Sequence, residues 1–202
     1  MKLYYSKGAC SLAVRIIINE IGLSPEFISV NLKSKTTEPG DNFLTLNPKG
    51  AVPVLQLDNK EVLTENAVIL QYLADTTNSK QLLPMLGDFK RYRVLEWLNY
   101  ITTELHKSFG VMFNSTIPSE IKDEIFIPLI KAKLTFVNQQ LGNHSFLVDN
   151  HFTIADAYLF VILSWVNQFK WNMDEWSNLK RYFENMIQRP SIHKSLKQED
   201  LI

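Results

Sequence analysis

The first 75 residues of this 202-residue chain alternate between strand-type and helix-type segments, and the residues beyond 88 carry almost no strand signal. That change of pattern constrains the fold more than any single motif. Lys2-Leu3-Tyr4-Tyr5 is a short apolar run of strand type, followed by the turn Ser6-Lys7-Gly8-Ala9. Leu12, Ala13, Ile16, Ile17 and Ile21 then recur at helical spacing. Phe27-Ile28-Ser29-Val30 predicts a second strand. Val52-Pro53-Val54-Leu55-Gln56-Leu57 and Glu61-Val62-Leu63 flank Asp58-Asn59-Lys60, which predicts a hairpin. A helix is predicted over 67–74. The order is β-α-β-α-β-β-α with a short second helix, and its β-α-β opening predicts parallel strands under helices.

The second half reads as an all-α bundle. Val94, Leu98, Ile101, Leu105 and Met112 form one helical stripe, and a second helix is predicted over 119–141 with a bend or break at Pro128. A third begins near 154 and is apolar on nearly all sides, which predicts a central buried helix. It opens Thr153-Ile154-Ala155-Asp156, a capping box with Asp in place of the usual Glu or Gln. Asp156 is therefore read as structural rather than catalytic. Breakers at Asn78, Ser79, Pro84 and Gly87 divide the chain into residues 1–78, a linker 79–87, and residues 88–202. The fold class is α/β plus all-α.

Charge and composition exclude several functions. Lys plus Arg and Asp plus Glu number 21 each, so no basic excess marks a nucleic-acid surface. One cysteine excludes an intramolecular disulfide and fits a reducing compartment. The most apolar run, 155–166, contains Asp156 and Ser164 and is too short to span a bilayer. The opening residues lack the pattern of a secretory signal. The expectation is a cytoplasmic protein that engages neither membrane nor nucleic acid.

That one cysteine, Cys10, falls where a strand passes into a helix. The unpaired N–H groups and the dipole of a helix N-terminus lower a cysteine pKa from its free value of about 8.5. Free cysteines are also among the most buried residues, so a reactive and an inert thiol are equally compatible with the segment. Pro53 opens a strand, as an edge proline or as a cis proline that leaves the Val52 backbone free for a peptide-like ligand. Thr64-Glu65-Asn66 begins a helix whose first N–H groups can hold a carboxylate, with Glu65 beside them for an ammonium. Taken alone, Glu65 simply complements the helix dipole. Glu96, Asn99, Thr103, His106 and Gly110 step along one polar helix face beside Lys107; a solvated face is the ordinary explanation, and His and Lys near a thiol also favour thiolate. Lys35, in a loop, has no role on its own.

Together these segments resemble the bacterial beta-class glutathione S-transferases. The resemblance rests on Lys2 to Tyr5 and Gly8-Ala9-Cys10-Ser11-Leu12, on Asn47-Pro48-Lys49-Gly50-Ala51-Val52-Pro53, on Leu63-Thr64-Glu65 and Gln71-Tyr72-Leu73-Ala74-Asp75, on Glu96 to Ile101 and Thr103 to Lys107, and on Phe152 to Tyr158. It runs in order along nearly the whole chain. It implies a thioredoxin-like glutathione-binding domain, an all-helical domain that forms an electrophile pocket, and a homodimer. By position, Cys10 resembles the family's active-site cysteine, able to form a mixed disulfide with glutathione, and His106 a second catalytic residue. Val52, ahead of a cis Pro53, resembles the residue that pairs with the cysteinyl unit. Glu65 and Asn66 resemble the pair at the γ-glutamyl end, and Lys35 a contact to the glycyl carboxylate. Asn99 and the turn Thr103, Glu104, Leu105, His106 and Lys107 resemble further glutathione positions. The family more often has Ser or Gly where Asn66 stands. Ala13 occupies the place of a resolving thiol, which excludes a dithiol mechanism. No metal and no cofactor are expected; glutathione is the co-substrate.

The implied function is conjugation of glutathione to small hydrophobic electrophiles, a detoxifying transferase. The alternatives are a glutathione-dependent thiol-disulfide reductase working through a Cys10 mixed disulfide, and a non-catalytic module that binds hydrophobic ligands or a partner. The expected pocket rim is 109–117 with Trp165 and Phe169.

Overall fold

The computed structural model describes all 202 residues. They form two compact units, residues 1–79 with 188–202, and residues 80–187. In the first, β1 (Lys2–Tyr5), α1 (Ser11–Glu20), β2 (Glu26–Asn31), β3 (Thr36–Thr37), α2 (Phe43–Leu46), β4 (Val54–Gln56), β5 (Val62–Thr64) and α3 (Asn66–Thr76) follow the predicted order, with the edge strand β3 added. The sheet order is β3-β2-β1-β4-β5. β1 and β2 are parallel, with Leu3 opposite Phe27, while β4 pairs antiparallel with β1 and with β5.

Local chemistry explains the boundaries. α1 buries Ser11 through Ile18 and stops at Gly22, whose φ of +73° suits glycine. The Leu23 and Gly22 amides cap the Ile18 and Asn19 carbonyls at 3.0 and 3.4 Å, the Schellman arrangement. Tyr4, Ile28, Val30, Phe43, Val52 and Val54 form one apolar cluster, so the strands that carry the site are anchored by a shared core.

The second unit begins with α4 (Phe89–Tyr100), capped by the Asp88 carboxylate on the Lys90 amide at 2.9 Å. It runs through a π-helical turn (Ile101–His106) into α5 (Lys107–Met112). α6 (Ser119–Ile121) likewise passes through a π-helical turn (Lys122–Phe126) into α7 (Ile127–Leu141). The bend expected at Pro128 is thus a wide turn just before it, and that turn lets the helical run pass a proline that has no N–H to donate. α8 (Ile154–Gln168) is buried on nearly every side, with α4 and α9 (Ser177–Ile187) against it. The Asp156 carboxylate accepts from the Thr153 amide and hydroxyl at 2.9 and 2.7 Å, from the Leu147 amide at 2.9 Å and from the Tyr182 hydroxyl at 2.9 Å. These four bonds fit the structural role read from the sequence.

The last helix departs from the sequence reading. α10 (Pro190–Gln198) was expected in the helical domain but packs on α1 in the first unit. Asn19 reaches the Ser195 hydroxyl at 2.7 Å, and Arg189 and Ser191 bind the Glu20 carboxylate. No helix is long and apolar enough to cross a membrane.

Candidate functional site

Cys10 occupies the N-cap position of α1, as the strand-to-helix junction predicts. Its surroundings do not match the expected lowered pKa. The side chain is almost wholly buried, and its thiol donates to the Val52 carbonyl at 3.3 Å. Burial pushes the thiol up to about 12, and the Glu65 charge adds a smaller push in the same direction. Backbone N–H groups of Cys10 and Ser11 pull the other way, as the helix-terminus argument requires, but desolvation wins.

The strand of residues leading into β4 forms the opposite wall. The Val52–Pro53 bond is cis. The loop before it is held by the Asn47 amide donating to the Ala51 carbonyl at 2.8 Å, and by Lys35, whose ammonium donates to the Gly50 carbonyl at 2.7 Å. Gly50 has φ +61°, and a Cβ there would lie 3.1 Å from Leu44 and 3.2 Å from Lys35. The φ favours glycine, and a Cβ would press on the ends of both side chains.

The third wall is the start of α3. Glu65, its N-cap residue, is held at φ +71° and ψ 118°, a conformation that a non-glycine residue adopts only under constraint from its surroundings. Its exposed carboxylate pairs with the Lys49 ammonium at 2.6 Å, and Lys49 also donates to the Thr64 hydroxyl at 2.8 Å. Asn66, the next residue, is buried, yet neither its amide nitrogen nor its amide oxygen has a hydrogen-bond partner. Such a group normally costs about 1–3 kcal/mol, and native structures carry few of them. Cys10, Lys35, Val52, Pro53, Glu65 and Asn66 therefore all lie in the first unit, on the α1 terminus, the β2–β3 turn, the loop before β4 and the α3 terminus.

The remaining predicted residues lie in the second unit, and the expected single polar face is not continuous. The π-helical turn adds a residue per turn and shifts the phase. Asn99 and Thr103 stay exposed, with the Thr103 hydroxyl on the Asn99 carbonyl at 3.0 Å. His106 instead turns toward α8, where its Nδ1 lies 2.5 Å from the Tyr158 hydroxyl and its ring 5.1 Å from that of Trp165. Glu104 pairs with Lys133 at 3.0 Å, which lowers its pKa. Leu105 is fully buried in the core, and Lys107 is exposed. Of the expected rim, Phe109 is buried, while Phe113 is exposed with its ring 5.2 Å from Trp165 and 5.0 Å from Phe169.

Comparison with known proteins identifies this arrangement. Residues 8–76 match the family model of the glutathione S-transferase N-terminal domain, and residues 100–190 match that of the C-terminal domain. The chain is 42% identical to glutathione S-transferase GstA of Escherichia coli O157:H7, with all of both chains covered. This chain belongs to the glutathione S-transferase family. A glutathione S-transferase of a sphingomonad, solved in complex with glutathione, superposes with a TM-score of 0.94 at 38% identity over the whole of both chains. A bacterial beta-class enzyme of Sphingomonas chungbukensis superposes with a TM-score of 0.95, also at 38% identity and full coverage of both.

For a glutathione S-transferase, two residues stand out that the sequence reading passed over. Lys49 has no role of its own in the segment 47–53; the β4–β5 pairing, with Val54 opposite Thr64, brings it to Glu65. Glu199, 189 positions after Cys10, reaches the Cys10 loop by a contact that no local pattern encodes.

Proposed function

We propose that this family member is a glutathione transferase that binds glutathione on its first unit and directs the glutathione thiolate at small hydrophobic electrophiles. The observation that carries the binding reading is the unpartnered Asn66 amide at the α3 terminus, next to the strained Glu65. Glutathione brings an ammonium and a carboxylate on one carbon. Glu65 suits the ammonium, and the Asn66 amide with the first N–H groups of α3 suits the carboxylate. The Val52 backbone would pair with the cysteinyl unit, and Lys35 would meet the glycyl carboxylate. By the family resemblance, Asn99, Thr103, Glu104, His106 and Lys107 of the second unit would be further glutathione positions; the buried Leu105 would serve through packing alone. Exposed Phe113 offers an aromatic surface to an electrophile.

Cys10 favours conjugation over the redox reading. A thiol that burial pushes up to about 12 is protonated at neutral pH, so Cys10 is a poor nucleophile toward a disulfide. A neutral thiol is instead a hydrogen-bond donor. It can turn from the Val52 carbonyl to the glutathione sulfur and stabilise that anion. The reaction then needs no protein nucleophile: glutathione gives its thiol proton to water, its sulfur bonds to the electrophilic carbon, and the leaving group departs with the electron pair of the bond that breaks. We further propose a cytoplasmic homodimer with a detoxifying role; the exposed rings of Phe89 and Tyr92 support a partner surface.

A thermal melt with glutathione at a hundredfold excess over its Kd tests the reading. Stabilisation of about 2.7 kcal/mol is expected. An unmoved melt would overturn it, and stabilisation without turnover of aryl halides or epoxides would leave a binding module.

A further inference from the structure

The C-terminal residues hold the loop that carries Cys10. The Glu199 carboxylate is fully buried between two donors: Arg15 Nε at 2.8 Å on one oxygen and the Gly8 amide at 2.8 Å on the other. Arg15, itself buried on α1, is held with its guanidinium carbon 4.2 Å from the Tyr5 ring centre and 3.9 Å from that of Phe27. Gly8 has φ +68°, and a Cβ there would meet Leu201 at 3.6 Å, so the terminal segment lies close over the loop. The loop closes on itself through the Ala9 amide on the Ser6 carbonyl at 3.0 Å and the Ser6 amide on the Ser11 hydroxyl at 3.2 Å. Cys10 follows directly, with its thiol on the Val52 carbonyl.

We propose that Glu199 is a positioning residue for Cys10: its carboxylate, fixed by Arg15, anchors the Gly8 amide and so keeps the thiol seated against Val52. A buried carboxylate whose two oxygens each take one donor leaves little freedom to the backbone it holds. Without it, the loop loses its one buried side-chain anchor on the Gly8 amide, leaving the exposed Lys7–Asp200 pair at 3.8 Å to tie it to the terminal segment, and Cys10 becomes more accessible. The inference relies on the proposed function only in treating Cys10 as a site residue. Its test uses no glutathione, so the two readings fail separately.

The structure supplies its own control. α1 is tied to the same terminal segment at its far end by Glu20 with Arg189 and Ser191, a contact that does not touch the Cys10 loop. The experiment measures iodoacetamide alkylation of Cys10 in the full chain at pH 8, alongside denaturant unfolding. Replacing Arg15 and Glu199 together by Met avoids leaving a buried unpaired charge. Alkylation at least tenfold faster in the double variant, with Glu20→Ala within twofold of wild type, is the expected result. Glu199→Gln keeps the shape but can serve only one of the two donors, and alkylation at least threefold faster is expected there; it decides the matter should the double variant not fold. Unchanged alkylation in the folded Glu199 variants, or acceleration in Glu20→Ala that matches theirs at equal loss of stability, would overturn the proposal and leave Glu199 a docking residue of α10.

Discussion

The Cys10 thiol donates to the Val52 carbonyl, joining the helix terminus that should activate a thiol to the backbone that should bind a ligand. In the free protein each group occupies the other. Burial of the same thiol, and not the helix terminus, decides its pKa, which rises rather than falls.

A stability profile follows from that rise. The unfolded thiol titrates near 8.5 and the folded one near 12, so above pH 8.5 the unfolded chain binds fewer protons than the native one. The Cys10 contribution is complete below pH 8.5 and declines by about 1.4 kcal/mol per pH unit as pH rises toward 12. Denaturant titrations of wild type and Cys10→Ala between pH 8 and 10.5 isolate this slope by difference. Parallel profiles would mean that the native thiol titrates like a free one.

Glu65→Gly separates stability from binding. Glycine adopts φ +71° without steric cost, so the relief of strain offsets the lost backbone entropy, and stability should change by less than about 1 kcal/mol. Calorimetry should find glutathione affinity at least tenfold weaker. A variant destabilised by several kcal/mol with its affinity intact would make Glu65 a structural residue.

Asn66→Ala removes a buried amide that has no partner. The free protein should be as stable as wild type to within about 1 kcal/mol, since loss of the desolvated amide offsets the small cavity. The shift of its melt by glutathione should shrink. A large loss of stability without ligand would show that the amide is held by the fold.

The course of the chain was legible in the sequence wherever the signal was local. The alternation of 1–75, the hairpin around Asp58-Asn59-Lys60 and the Thr153–Asp156 cap each depend on neighbours within a few residues, and each is present. β3 was missed because two threonines carry no period. The π-helical turn at Ile101–His106 was missed because hydrogen-bond register is not written in an apolar pattern: Ile101 and Leu105 are buried, as an ordinary helix would also place them. It turns His106 toward Tyr158, away from the exposed Asn99 and Thr103.

The candidate site was legible as a set of positions and not as electrostatics. A helix terminus can be read from Cys10-Ser11 and its apolar spacing. Whether its field outweighs desolvation depends on Val52, 42 residues away, and on the loop held by Glu199. The Arg15–Glu199 pair also ties α10 to the first unit: the buried carboxylate at its C-cap finds its partner on α1 rather than among the helices beside it in sequence.

The most direct test compares initial rates of wild type and Cys10→Ala in two assays, glutathione conjugation to an aryl halide and glutathione-dependent reduction of a mixed disulfide. The account predicts saturable conjugation in wild type, retained to within about tenfold in Cys10→Ala because one hydrogen bond to the thiolate is lost while the nucleophile remains. Disulfide reduction should be weak in wild type and abolished in the variant. Conjugation that disappears with Cys10, beside fast disulfide reduction in wild type, would contradict the account and make the protein sulfur the nucleophile.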